Sequence, residues 1–298
     1  MSKAQATAVD DKVGLGIACA VTGFIGIALM DACAKFLGEG YAISQIVLFR
    51  NGVGALVVFA FLLVSGKGFS PLRTDRIWLL VQRTAYSLAA GYLFFTGLRY
   101  MPLADAFAVA FTGPLFITAL SMPILGEHVG IRRWAAVLVG FCGVLVVIQP
   151  GMASFRPEAL MPLGAAFFYA LAMLVSRKMT RDMTTSAIMF WSSLGAALTA
   201  VPLMPFAWQT PGPADLFVFL SMGLVGTIGM VLVTQAYRFA PAAVIAPFDY
   251  SSLLWAVILG WLIWGDLPGR NVWFGAAILI ASGLYILHRE TRRQQPTA

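Results

Sequence analysis

Five ionisable side chains lie inside long apolar stretches of the sequence, where a charge is costly to hold. They are Asp31, Arg50, Arg83, Asp105 and Asp249. An uncompensated charge within a membrane-spanning helix costs about 3 kcal/mol or more, and such residues mostly line the paths of substrates or ions. Each of the five is therefore a candidate for binding, gating or ion coupling.

The two arginines are expected to lie deepest, each about two helical turns from a membrane face. A guanidinium at that depth needs an anion, carbonyl groups or water. One interpretation of Arg50 is an internal ion pair with Asp31 or Asp105. The other is a ligand-binding role in a hydrated cavity, shared with the neighbouring Asn51. We favour binding, for Arg50 and for Arg83, because buried charges in membranes mostly mark pathways.

The carboxylates Asp31 and Asp105 are expected near the outer ends of their helices, where a charged group can also reach the interface. Asp31 is a candidate for gating or coupling, and Asp105 is a candidate for substrate binding. Lys35 follows Asp31 by one helical turn, so the two side chains can pair on one helix face.

The run Ala-Pro-Phe-Asp-Tyr-Ser-Ser at 246–252 combines a proline with polar side chains inside a predicted helix. Pro247 removes one backbone hydrogen bond there. The corresponding run in the first half contains Phe111 and Pro114. We predict that Phe111, Asp249 and Tyr250 bind substrate and that the two prolines act in gating. A proline kink satisfied by neighbouring helices is the alternative.

Aromatic residues make up 13% of the chain. Tyr86, close to Arg83, and Trp191, on the seventh predicted helix, are expected to contact substrate. Most other aromatic residues, including Tyr169 on the sixth helix, are expected to pack or to face lipid. Aromatic faces beside a few polar groups suit a flat or amphipathic organic molecule better than an inorganic ion.

Signatures of enzymes and cofactor sites are missing from the sequence. Gly66 and Lys67 lack the earlier glycine of a phosphate loop. His128 and His288 form no metal-ligand set, and no nucleophile elbow occurs. The three cysteines lie inside apolar segments at no metal spacing, which indicates core residues. We therefore expect no catalytic residue, no cofactor, no metal and no enzymatic activity.

The composition indicates lipid as the surrounding solvent. Of the 298 residues, 60% are hydrophobic and 11% are charged, against about 45–50% and about 25% in soluble domains. The net charge is +7, but no basic stripe with interleaved aromatic residues occurs, so nucleic acid is not an expected partner. The expected partners are the lipid bilayer and a small-molecule substrate.

Ten segments are long and apolar enough to span a bilayer, which predicts an all-α membrane protein. They lie at 14–34, 43–65, 77–97, 103–122, 131–148, 159–176, 185–207, 214–236, 242–264 and 271–288. The connections are short, so neighbouring helices run antiparallel. Fourteen of the 20 lysines and arginines lie in the tails and the even-numbered connections, and four lie in the odd-numbered ones. This bias predicts an inner-membrane protein with both termini in the cytoplasm.

The second half of the sequence repeats the first. Arg99, Pro102 and Trp134 return as Arg238, Pro241 and Trp273, each 139 positions later. Such an echo indicates a duplicated fold, with one repeat at 1–150 and the other at 151–298. Each repeat holds five helices, an odd number, so the second crosses the membrane upside down. Two inverted five-helix repeats around one central site are typical of secondary transporters.

Small residues recur on three predicted helices and favour close helix packing. They are Gly23 and Gly26 on the first helix, Ala136 and Gly140 on the fifth, and Gly223, Gly226 and Gly229 on the eighth.

Taken together, a set of short motifs resembles the drug/metabolite transporter superfamily, of the bacterial EamA type, over nearly the whole chain. The motifs are Met30-Asp31-Ala32 with Lys35, Phe49-Arg50, residues 99–106, Pro114-Leu115-Phe116, Leu125-Gly126-Glu127, residues 140–144, residues 246–250 and Gly265-Asp266. The resemblance implies ten helices in two inverted repeats and movement of small organic solutes without ATP hydrolysis.

Within this superfamily, the chain most resembles the branch that includes riboflavin and S-adenosylmethionine transporters. The residues that carry this likeness are the acidic–basic pair of the first helix and the Phe-Arg motif of the next helix. The likeness implies a substrate of this kind. An amino-acid or drug exporter of the same fold is the alternative within the superfamily. A non-transporting membrane scaffold or sensor is the alternative from another class.

Overall fold

Helices make up nearly all of the computed structural model, which describes residues 3–64, 72, 76–126, 129–152, 156–179 and 183–294. No β-strand occurs within these ranges. The motif residues Gly66, Lys67, Glu127 and His128 lie outside them. The helix ladder satisfies every interior backbone N–H and C=O within its own segment, as a hydrocarbon environment requires.

Six helices occur in the described part of the first half of the chain. Their bounds are α1 Lys3–Gly38, α2 Ile43–Val64, α3 Ile77–Tyr100, α4 Leu103–Ala110, α5 Gly113–Leu125 and α6 Ile131–Ile148.

The described residues of the second half form seven helices, together with 3-10 turns at Pro157–Ala159, Val201–Leu203 and Ala246–Tyr250. The helices are α7 Leu160–Met179, α8 Thr185–Ala200, α9 Met204–Ala207, α10 Pro213–Phe239, α11 Ala242–Ile245, α12 Ser251–Trp264 and α13 Arg270–Gln294.

Nine helical segments within the described ranges are long and apolar enough to cross a membrane. α3, the third segment in chain order, completes the set of ten. It has 24 residues, and polar side chains such as Gln82 and Arg83 lower its hydropathy. The predicted all-helical fold with ten membrane segments in two repeats is confirmed. Each repeat closes its fourth segment on a left-handed glycine, Gly126 at φ 70° and Gly265 at φ 72°, which are again 139 positions apart.

The fourth and ninth segments are interrupted, although the apolar pattern of the sequence predicts each as one continuous helix. The fourth is divided between α4 and α5 at Phe111 and Thr112, and Pro114 lies in the first turn of α5. The ninth consists of α11, the 3-10 turn Ala246–Tyr250 and α12, with Pro247 in the first turn of the 3-10 stretch. A proline lacks the N–H that a helix interior would use. In both segments a new helical stretch therefore begins near the proline.

The most extensive helix packing joins the two halves of the chain. α1 packs on α10, and α3 packs on α7, which is the same interface under the repeat relation. α2 packs on α8 and α6 on α13, so each of these four helices contacts its own counterpart, and α4 of the fourth segment packs on α12 of the ninth. The halves are therefore interlocked around a pseudo-two-fold axis.

Small residues permit the closest helix contacts, as the sequence indicated. A methyl group added at Gly23 on α1 would lie 2.8 Å from the carbonyl oxygen of Gly229 on α10. A methyl group added at Gly226 would overlap Met30, and one at Gly140 on α6 would overlap Leu115. Only glycine lets these backbones approach so closely.

Candidate binding cavity

The two interrupted segments meet at the centre of the molecule. The rings of Phe111 and Tyr250 lie 5.1 Å apart between centroids, at an interplanar angle of 40°. The two residues are 139 positions apart, so the repeat relates each ring to the other. The pseudo-two-fold axis relates each residue to its equivalent, so two equivalent residues that touch must lie beside this axis. The two helix interruptions therefore face each other across it.

Asp249 lies in the 3-10 turn of the ninth segment, at the level of this ring pair. Its side chain is exposed even though it belongs to a membrane-spanning segment. Its charge acts on Tyr169 of α7, Tyr237 of α10 and Tyr250. Tyr169 and Tyr237 are 46% and 44% exposed. Three tyrosines therefore adjoin one accessible carboxylate, and we term the space between these four side chains the candidate cavity.

Arg83 of α3 lies near the same cavity. Its Nε donates a hydrogen bond to Oγ of Ser176 at 2.7 Å, and its Nη1 donates to Oγ of Ser192. The guanidinium also acts electrostatically on Tyr169. Two hydroxyls from α7 and α8 thus orient Arg83, and no carboxylate neutralises it within the described residues.

Tyr86, one turn after Arg83, accepts a hydrogen bond from Nε2 of Gln82 at 3.2 Å and packs near Phe168 at 6.3 Å between ring centroids. Its ring therefore lies beside α7, at Phe168. Trp191 is placed differently. Its Nε1 donates to the carbonyl of Leu72 at 2.7 Å, which ties α8 to the segment ahead of α3.

Arg50 lies in a second polar position, on α2. Its Nε contacts Sδ of Met30 at 3.2 Å, and its guanidinium carbon is 5.2 Å from the centre of the Phe95 ring. Asp31 of α1 acts on it electrostatically, although the two form no direct ion pair in the described structure. Asn51 donates to the carbonyl of Val47 at 2.9 Å, within its own helix.

Asp105 lies at the first turn of α4. Its Oδ1 is buried and has no hydrogen-bond partner among the described residues. The charged groups near it are those of Lys35, Arg156 and Asp266. Asp105 therefore belongs to a cluster of charges at the end of the bundle where α1 ends and α2 begins, and not to the cavity around Asp249.

This end of the bundle, which we term the closed end, is fastened by Lys35. Its Nζ lies 3.5 Å from Oδ2 of Asp266 and donates to the carbonyl of Met101 at 3.0 Å. It also lies 4.8 Å from the centre of the Trp264 ring. The expected pair of Lys35 with Asp31 is wrong, because the lysine side chain extends across the repeat boundary to Asp266.

Two further contacts fasten the closed end, and each joins the first half of the chain to the second. Tyr41 donates its hydroxyl to Oδ2 of Asp215 at 2.6 Å. The amide of Gln45 donates to the carbonyl of Gln209 at 2.8 Å and accepts from its backbone N–H at 3.1 Å. The Tyr41 ring also packs on Phe219 at 5.0 Å between centroids.

The opposite end is organised differently. α1 packs against α3, and the repeat relates that pair to α7 and α10. These two helices form no matching packed interface in the described structure, and they carry the exposed Tyr169 and Tyr237. We therefore interpret the fastened end as a shut gate and the other end as an open one, with the cavity around Asp249 behind the open gate.

Several members of the cavity could not be recognised in the sequence. Tyr169 was expected to pack or to face lipid, and Tyr237, Ser176 and Ser192 carried no signal of their own. Tyr237 lies in the last turn of α10, next to the charged boundary residue Arg238. Only the packing of α10 around the axis places it by Asp249. Among the described residues, no group of three or more His, Cys, Asp or Glu side chains could hold a metal ion.

The inverted repeats, the paired gates and the polar cavity between interrupted helices define a multi-pass membrane transporter. The sequence agrees at the level of families, with matches to the EamA-like transporter family at residues 14–149 and 156–288. The chain belongs to this family.

Named relatives are similar over almost their whole length. The S-adenosylmethionine uptake transporter of Rickettsia prowazekii is 26% identical, and the match covers 93% of this chain and 94% of that protein. The riboflavin transporter of Rhizobium johnstonii is 27% identical over 100% of this chain and 99% of that protein. The pseudopaline exporter CntI of Pseudomonas aeruginosa is 28% identical over 94% and 95%.

A crystal structure of another protein shares the fold. It superposes with a TM-score of 0.65 at 21% sequence identity, covering 94% of this chain and 99% of that chain.

Proposed function

We propose that this protein is a secondary transporter that carries a small organic metabolite with a planar ring across the bacterial inner membrane. The observation that supports this most directly is the accessible carboxylate of Asp249 among three tyrosines in a membrane-spanning segment. Apolar walls with a few convergent polar groups favour an organic ligand over an inorganic ion. The proposal includes two repeats, with their boundary between residues 150 and 151.

The cavity residues receive specific roles in this proposal. Phe111 and Tyr250 form a surface for the ring, and Asp249, Arg83 and Tyr86 contact the substrate's edges. The other predicted binding residues lie outside this cavity and act at other steps of the cycle; they are Arg50, Asn51, Asp105 and Trp191. Pro114 and Pro247 lie at the two hinges. Asp31 on α1 interacts with Arg50 on α2 and so couples the movements of these two helices.

The orientation rests on the charge of the connections. Both termini lie in the cytoplasm if lysine and arginine mark the inner side. In that orientation the open gate faces the cytoplasm and the closed end faces the periplasm. Labelling with a membrane-impermeant thiol reagent tests this assignment. A cysteine at Arg177 should react only in inside-out vesicles, and one at Arg156 only in right-side-out cells.

The relatives supply two probes, since one is named for S-adenosylmethionine and another for riboflavin. Purified protein in proteoliposomes should exchange at least one of them across the membrane in a saturable way, whereas protein-free liposomes should not. Protein whose closed end is cross-linked shut is the control for this exchange. Cysteines replacing Tyr41 and Asp215, joined by a short bifunctional thiol reagent, should stop exchange until the cross-link is reduced.

Scaffolding, sensing and enzymatic catalysis make different predictions from transport. A scaffold or sensor binds ligand without exchange across the membrane, and an enzyme forms product in detergent without vesicles. Binding without counterflow of either probe, in vesicles that contain correctly inserted protein, contradicts the proposal.

A further inference from the structure

We propose that the transported metabolite is a zwitterion, with its cationic group at Asp249, its carboxylate at Arg83 and a planar ring on the Phe111–Tyr250 pair. This inference rests on the proposed transport function and adds the charge pattern of the substrate to it.

The first observation is that Asp249 carries a negative charge with no matching cation. Its side chain is exposed within a membrane-spanning segment. It forms no ion pair with any described lysine or arginine, and the groups on which its charge acts are tyrosines. A lone carboxylate in a membrane cavity is stabilised when a cation enters.

The second observation is that Arg83 carries the opposite charge, also without a carboxylate among the described residues. Its Nε and Nη1 are committed to Ser176 and Ser192, which leaves the N–H groups of its other terminal nitrogen for a ligand. A guanidinium fixed in this way suits a carboxylate, because donor geometry is set before the ligand arrives.

The third observation is that one side chain connects the two charges. Tyr169 lies against the break of the fourth segment, since a methyl group at Gly113 would be 3.5 Å from its ring, and Arg83 is hydrogen-bonded to Ser176 two turns further along α7. The charges of Asp249 and Arg83 both act on Tyr169, and the two do not pair with each other among the described residues. An organic cation at Asp249 would also meet the faces of Tyr169, Tyr237 and Tyr250, and aromatic faces attract ammonium and sulfonium groups.

The neighbouring charges Asp31 and Arg50 differ from this arrangement. Asp31 and Arg50 act on each other electrostatically, whereas no such mutual interaction joins Asp249 to Arg83. Among the described residues, the hydrogen-bond partners of Arg83 are two hydroxyls, and the groups on which Asp249 acts are tyrosines. A neutral flat molecule would leave both charges unpaired, and a simple cation would leave Arg83 unpaired. A zwitterion compensates both.

Equilibrium binding to the purified full-length protein in detergent tests the charge pattern with probes that share one ring. S-adenosylmethionine has a cation and a carboxylate, decarboxylated S-adenosylmethionine keeps only cationic groups, and 5′-methylthioadenosine has neither charge. Affinity should fall at each step by about tenfold or more, the range for a charge-assisted hydrogen bond. Equal affinity for all three probes overturns the inference, and this measurement requires no variant of the protein.

Two variants assign the charges to residues. Asp249→Asn should weaken the binding of both cationic probes about tenfold or more and leave 5′-methylthioadenosine unchanged. Arg83→Gln should weaken S-adenosylmethionine alone. Glu158→Gln and Arg132→Gln, which make the same changes away from the cavity, should alter none of the three. A variant that weakens all three probes equally acts on the structure and contradicts the assignment.

Riboflavin separates this inference from the proposed function. If riboflavin binds and exchanges across proteoliposomes while S-adenosylmethionine does neither, the zwitterion inference is overturned and the transport function stands. If no probe binds and none exchanges, the proposed function fails and the inference fails with it.

Discussion

Phe111 and Tyr250 are equivalent positions of the two repeats, and their rings contact each other at 5.1 Å between centroids. The contact places both interruptions, one in the fourth segment and one in the ninth, at the pseudo-two-fold axis. An alternating-access cycle exchanges the conformations of the two repeats, and a point on the axis moves least in such an exchange. The ring pair is thus suited to hold a substrate while the gates on either side open in turn.

The contact should appear as an energetic coupling between the two rings. Phe111→Ala and Tyr250→Ala should each lower stability, and the double variant should lose about 1 kcal/mol less than the sum of the two, because an aromatic pair contributes about that much. The measurement is unfolding of the purified protein by a denaturing detergent. The control is the pair Phe111→Ala and Trp273→Ala, in which Trp273 is an exposed residue. Its two losses of stability should be additive, and a coupling of the same size there would contradict the interpretation.

The sequence predicted the helices and the duplication because both depend on local information. Apolar runs of sufficient length and an offset of 139 positions can be counted without knowing which helices touch. Partners across the repeats cannot be found in this way. Lys35 has Asp31 one turn away, yet it pairs with Asp266, 231 positions later. Arg83 finds Ser176 and Ser192 at separations of 93 and 109 positions.

The helix breaks in the fourth and ninth segments were also only partly predictable from the local sequence. The prolines marked where a helix would be disturbed, but a proline can bend a helix or start a new one. Which outcome occurs depends on the neighbours. Gly113 lies close to Tyr169, since a methyl group there would be 3.5 Å from the tyrosine ring, and α7 can pack against the fourth segment at its break.

Breaking the Lys35–Asp266 pair should open the closed end. The pair is partly buried, and loss of one partner leaves the other charge without compensation. In Lys35→Met we expect a cysteine introduced at Ala34, which is 2% exposed, to react severalfold faster with an impermeant maleimide. The same substitution at Lys178, which is exposed at the other end of the bundle, is the control. An unchanged labelling rate in Lys35→Met would show that this pair does not hold the gate.

The Tyr41–Asp215 contact gives the closed end a dependence on alkaline pH. The hydrogen bond to the carboxylate raises the pKa of the Tyr41 hydroxyl above its usual value. A group whose pKa is higher in the closed state stabilises that state below the ordinary tyrosine pKa of about 10, and this stabilisation disappears as the pH rises through the higher value. Difference absorbance between wild type and Tyr41→Phe should show a tyrosine that ionises late. Asp215→Asn should bring that titration back toward the usual range, and no change on this substitution would refute the assignment.

Two interpretations of Arg50 can be separated by its neighbour Asp31. If Arg50 mainly compensates Asp31, Arg50→Met should destabilise the protein by about 3 kcal/mol, because removal of one member of a buried pair leaves an unpaired charge. The double variant Arg50→Met with Asp31→Asn should recover most of that loss. If Arg50 instead contacts substrate, the double variant should regain stability but not transport. Denaturant unfolding and proteoliposome exchange on the same samples distinguish the two results.

Close packing of α1 on α10 predicts which glycines tolerate a methyl group. Gly23→Ala would place the new carbon 2.8 Å from the carbonyl oxygen of Gly229, and a backbone atom cannot move aside as a flexible side chain can. We expect a loss of about 1–3 kcal/mol in stability. Gly52→Ala is the matched control, because a methyl group there meets nothing within 4 Å and alanine favours helix over glycine by about 1 kcal/mol. Thermal unfolding should therefore shift down for Gly23→Ala and stay level or rise for Gly52→Ala. Equal shifts for the two variants would mean that α1 and α10 are not packed as closely as the structure places them.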